Sequence, residues 1–216
     1  MEENWIIAAQ EFVKQELENA EAGHDWFHIE RVYRLANCIA KTEKSNLIVV
    51  QLAALLHDIA EPKFHQGDEA LALLVSRRFM ESIAVPEEVI VQVLFIIENI
   101  SFKNRNRKLG ELPIELQIVQ DADRLDALGA IGIARTFHFG GFKNNLIYHP
   151  EIQPNLNMTK EEYKKSNGTT INHFYEKLLL LKNLMNTTKG KELAEERHRF
   201  MELYLQQFYK EWNVEF

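Results

Sequence analysis

The chain has 216 residues, 46% hydrophobic and 26% charged, with a formal charge of −7. That length carries one domain with a sizeable core, the acidic balance argues against a nucleic-acid polymer as partner, and no apolar run is long enough for a membrane span. Cys38 is the only cysteine, so neither an internal disulfide nor a thiolate metal cluster can form.

Nine glycines and five prolines leave few interruptions, and long helices are expected. Trp5, Ile6, Ala9, Phe12, Val13 and Leu17 make an apolar stripe that predicts a first helix, stopping near Ala22-Gly23. Its acidic, broken pattern is unlike a signal peptide, so a cytoplasmic protein is expected. Asp25 is placed to cap a second helix with Phe27, Val32, Leu35, Ala36 and Ile39 on its apolar side. Cys38, between Leu35 and Ile39, reads as a buried small hydrophobe. A third helix starts at Asn46 and runs through "LIVVQLAALLHDIA" until Pro62 stops it. A fourth covers about 68–83, and Pro86 opens a fifth that reaches Ile100. The polar stretch "SFKNRNRKLGEL" separates it from a sixth helix, which begins near Pro113 and continues through "DRLDALGAIGIARTF". Residues 138–157, with two adjacent glycines and two prolines, predict a long irregular loop, with short strands conceivable only around Leu146-Tyr148. Two more helical tracts follow, at about 170–186 and 190–212. The expected fold class is all-α, a single-domain helical bundle over residues 1–216. Catalytic helices would lie at about 24–136, and the C-terminal helices at about 170–212 would pack on the same core.

Three places carry polar residues that cost stability unless something satisfies them. They are "GHDWFHIERV" with His24, Asp25, His28 and Arg31; His57-Asp58 followed by Glu61; and "QDADRLDA" with Asp121, Asp123, Arg124 and Asp126. Imidazoles and carboxylates from three helices suit one divalent cation and leave coordination positions for water and substrate. Asp123 and Asp126, three apart, share a helix face that Asp121 does not. Arg31 lies one turn after His28 and is placed to reach a phosphate oxygen. Lys103, Arg105 and Arg107 form a local basic cluster able to neutralise a polyphosphate.

A histidine, then a contiguous His-Asp, then a much later aspartate resembles the HD superfamily of metal-dependent phosphohydrolases. "HDWFHIERV", "ALLHDIAEPKF", "IIENISF", "QDADRLDALGAIGIARTF" and "INHFYEKLLLLKNLMNT" look like blocks of its YedJ-like branch, a likeness covering about residues 20 to 212. The resemblance implies an HD-domain fold and four metal ligands: His28, His57, Asp58 and, from the "ADRL" block, Asp123. It implies that Glu61, just past the third ligand, manages a proton in catalysis, and that Asp58 is a catalytic residue as well as a ligand. Arg31, Lys103, Arg107, Asp126 and His24 are then the candidates for binding substrate, with His24 equally readable as a neighbour of the Asp25 cap.

The expected activity is divalent-metal-dependent hydrolysis of a small phosphorylated molecule. A nucleoside triphosphate cleaved to monophosphate and pyrophosphate is the favoured substrate. Manganese or magnesium is the favoured metal, with cobalt, nickel, zinc and iron left open. Two alternatives stand beside it. One is a non-catalytic nucleotide sensor; the other is an iron-dependent oxygenase, which would need more histidines between Ile59 and Ala122 than His65 alone. Oligomeric state is open, with a helical homodimer as the first expectation.

Overall fold

The computed structural model describes residues 2–18, 25–59, 69–100, 111–156 and 168–215. Among them are nine α-helices and one 3-10 helix, and no strand. By internal packing the chain divides into two compact units, Met1–Asp123 and Arg124–Phe216.

The first unit is organised around its most apolar segment. Helix α3, Leu47–Leu56, buries Ile48 to Val50 and Leu52 to Leu56, as expected for a helix hydrophobic all round. Helices α1 (Glu2–Glu16), α2 (Trp26–Ala40) and α5 (Glu87–Asn99) surround it, and α4 (Glu69–Ser82) packs on α5. The α1 stripe buries Trp5, Ile6, Ala9 and Val13, but the helix ends at Glu16, one turn and more before the glycine expected to stop it. Asp25 caps α2 by accepting a 2.9 Å bond from the amide of His28, which fixes the turn carrying that histidine. Its buried stripe is Ile29, Val32, Ala36, Ile39 and Ala40. Cys38 falls off that stripe and is exposed, contrary to expectation. Pro86 precedes α5 as its N-cap residue.

Helix α6, Ile114–Asp126, belongs to the first unit up to Asp123. Its start is tied to the start of α3 by the amide of Asn46, which donates to Glu115 Oε1 at 2.8 Å.

In the second unit, the single helix expected through "RLDALGAIGIARTF" is broken. Leu128 is extended and Gly129 has φ of 72°, after which α7 runs from Gly129 to Phe142. A positive φ costs an L-residue about 1–2 kcal/mol, so the glycine marks where the chain can turn. Arg197 donates to the carbonyl of Leu125 just before this break, which satisfies a helix-end acceptor. Helix α7 continues through Gly140 and Gly141, so irregular chain begins at Lys143, five residues later than the sequence suggested. Helix α8 (Thr170–Glu176), the 3-10 helix Leu178–Leu184 and α9 (Thr188–Trp212) complete the unit. The amides of Thr170 and Ile171 donate to the carbonyls of Leu146 and Ile147, so the loop after α7 holds the first turn of α8. Tyr148 from the same loop meets Phe208, Tyr209 and Trp212 of α9 edge-on, at ring distances of 4.9–5.8 Å.

Candidate metal centre

The first unit brings together residues far apart in sequence. His28 lies in the capped first turn of α2, and His57 and Asp58 follow the last residue of α3. The third helix was expected to run on to Pro62 but ends at Leu56. The ring of His57 supplies a local reason. Its Nδ1 lies 2.9 Å from the carbonyl of Ala54, the acceptor that a continuing helix would offer to the amide of Asp58. The side chain replaces the next backbone bond.

That contact has a chemical consequence. A carbonyl only accepts, so in the neutral ring Nδ1 carries the proton and Nε2 presents a lone pair. Nε2 of His57 is buried and has no hydrogen-bond partner. One ligand atom each from His28, His57 and Asp58 lies within 4.8 Å of the others. His28 Nε2 is 3.6 Å from Asp58 Oδ2 and 3.6 Å from Asp123 Oδ1, and His57 Nε2 is 3.8 Å from the same Asp123 oxygen. These separations exceed hydrogen-bond length. They approach the roughly 3–3.5 Å between atoms that share one cation through bonds of about 2.1 Å. Neutral imidazole nitrogen and carboxylate oxygen are donors that a first-row divalent ion accepts, so the residues present fit such an ion.

Exposure gives the centre a direction. The side chains of His28 and His57 are each 3% exposed, whereas that of Asp123 is 39% exposed. The cluster is thus shielded at its imidazoles and more accessible at Asp123. Asp121 is fully buried, so the two carboxylates of "DAD" face different surroundings, as their spacing requires.

The remaining candidates divide into two groups. Arg31 is half-buried one turn after His28 on α2. Asp126 is buried in the second unit and ion-paired with Arg135, so its carboxylate is engaged within the protein. His24, Glu61, His65, Lys103, Arg105 and Arg107 lie outside the described residues. Sequence reading did not single out the Ala54 carbonyl or Gln120, a buried amide one turn before Asp123. The former leaves no signal in residue type; the latter leaves one, a polar residue at helical spacing between the apolar Leu116 and Asp123.

Residues 26–128 match the HD domain family. The protein YpgQ of Bacillus subtilis (strain 168) is 39% identical over 203 residues, which cover 93% of this chain and 90% of YpgQ. The crystal structure of an HD-superfamily hydrolase from Bacillus thuringiensis superposes with a TM-score of 0.81 at 43% identity, over 100% of both chains. YpgQ in complex with ADP superposes with a TM-score of 0.77 at 35% identity, over 97% of this chain and 96% of that one. Among the described residues no helix is long and apolar enough to cross a membrane.

Proposed function

Because the chain belongs to the HD superfamily of metal-dependent phosphohydrolases, we propose that His28, His57, Asp58 and Asp123 hold one divalent cation and that the substrate is a nucleoside triphosphate. The observation that carries the metal assignment is the buried, unpartnered Nε2 of His57 among the donor atoms of His28, Asp58 and Asp123. A buried acceptor left unsatisfied costs about 1–3 kcal/mol, which a cation on that lone pair offsets. The nucleotide assignment draws support from YpgQ, a relative that was crystallised with ADP.

When bound, the cation supplies Lewis acidity toward a phosphoryl oxygen and acidifies water. The protein's own groups do the rest. His57 is held in one tautomer by Ala54, so its lone pair stays directed at the site without rearrangement. Asp123 is the most exposed of the four and so the most accessible to substrate. Glu61, assigned from sequence, takes the proton of the attacking water. Arg31, with Lys103 and Arg107 from sequence, neutralises the phosphate chain as charge builds on it. Water adds to the α-phosphorus, the bond to the bridging oxygen breaks, and pyrophosphate departs with that oxygen, leaving the monophosphate.

The test is hydrolysis by protein stripped of metal and reloaded with manganese, magnesium, cobalt, nickel or zinc, against a panel of nucleotides and phosphoesters. The expected result is pyrophosphate release that disappears in Asp58→Ala. Undiminished turnover in Asp58→Ala would overturn the metal assignment. Release of orthophosphate alone would overturn the scissile bond, and nucleotide binding without turnover under any metal would make the protein a sensor.

A further inference from the structure

We infer that Gln120 is a positioning residue for Asp123, setting where that carboxylate stands relative to the two imidazoles. The inference rests on the metal centre proposed above and concerns a residue outside it.

Leu116, Ile118, Val119, Ala122 and Leu125 of α6 are all fully buried, and so is the carboxylate-bearing Asp121. Gln120 lies among them. It is 7% exposed and stands on the stripe that runs from Leu116 through Gln120 to Asp123, at steps of four and three residues. An amide buried there costs more than a leucine of similar size unless its bonds are made. One of them is visible: Nε2 of Gln120 donates to the main-chain carbonyl of Asn99 at 3.1 Å.

Asn99 is the last residue of α5, and its carbonyl is one of the helix-end acceptors that have no partner in their own helix. Asn99 is itself buried, and its side-chain amide donates back to the carbonyl of Phe95 at 2.8 Å, which fixes the last turn of α5. The Gln120 bond therefore joins α6 to an anchored helix end, one turn before Asp123. A second tie at the front of α6, from Asn46 to Glu115, is exposed and open to competition from water. The buried one holds more firmly. A helix able to slide against its neighbour carries its side chains with it, and a carboxylate that must meet Nε2 of both His28 and His57 tolerates little displacement. Apolar packing is non-directional, whereas a buried hydrogen bond fixes register.

The experiment compares the full-length parent, Gln120→Met, Asp123→Ala and the double variant, each titrated with Co²⁺ by calorimetry and by visible absorption. Methionine has nearly the length of glutamine and removes the donor; Gln120→Leu replaces it if Gln120→Met does not fold. A hydrogen bond made directly to a metal ligand is worth about 10–100-fold in affinity. The Gln120 bond acts one step further out, through the placement of α6, so Gln120→Met is expected to bind Co²⁺ more weakly by up to about tenfold and to shift its absorption band. In the Asp123→Ala background the same substitution is expected to weaken binding no further. Equal weakening in both backgrounds would make Gln120 a purely structural residue and overturn the inference, as would parental affinity and spectrum in Gln120→Met. Parental affinity in Asp123→Ala would instead remove the metal assignment on which the inference stands, and the two failures are distinct.

Discussion

Replacing His57 with leucine separates what the open site costs from what a cation returns to it. The ring brings two opposing contributions in the protein without metal. Its unpartnered Nε2 destabilises by about 1–3 kcal/mol, and its Nδ1 bond to Ala54 contributes about 0.5–1.5 kcal/mol. Leucine removes both and keeps the apolar volume. It also leaves the buried Ala54 carbonyl without the ring's donor, a loss of about 1–3 kcal/mol that offsets the relief at Nε2, so the metal-free variant should melt close to the metal-free parent. Metal should then separate the two proteins. At a free concentration 100 times its dissociation constant, a cation bound only by the folded state adds about 2.7 kcal/mol. For 216 residues, an unfolding entropy of about 2.1 cal/mol/K per residue makes that a rise in Tm of roughly 6 °C if the chain melts in one transition. Calorimetry of parent and His57→Leu, each stripped and then given Mn²⁺, measures the shift directly. A rise of the same size in His57→Leu would refute the role given to Nε2.

Two further expectations concern stability. The adjacent glycines of α7 should respond oppositely to alanine: a Cβ at Gly140 would stand 2.3 Å from Thr170 Oγ1, whereas one at Gly141 meets nothing within 4 Å. Urea unfolding should therefore show Gly140→Ala losing about 1–3 kcal/mol by overpacking and Gly141→Ala gaining about 0.5–1 kcal/mol from helix propensity; equal effects would refute the close approach of α7 and α8. Burial, and secondarily the charge of Lys177, holds the His173 imidazole down to about 3 from its usual 6.5. The neutral ring is then favoured in the fold while the unfolded chain takes up a proton. This contribution is complete above pH 6.5 and falls as pH drops from there toward about 3, at up to about 1.4 kcal/mol per unit. Unfolding measured between pH 7.5 and about 4.5 should show a shallower decline in His173→Gln than in the parent; identical slopes would refute it.

The sequence by itself was enough for the helical class and for the cap at Asp25, because each depends on residue type at short spacing. Apolar periodicity reports which face of a helix is buried, and an ordered set of histidines and aspartates reports a family. Local pattern was a poorer guide to endings. α3 closes at Leu56 rather than at Pro62 because an imidazole takes the carbonyl of Ala54, and the pair of glycines expected in a loop continues α7. Cys38 looked buried between apolar neighbours, yet the stripe on α2 turns away from it. Only the tertiary structure could show that Asp123 meets His28 and His57, that Asp126 pairs with Arg135 and that Gln120 reaches Asn99. Those are contacts between residues distant in the chain, and their energy depends on directions and on burial that no spacing along the sequence encodes.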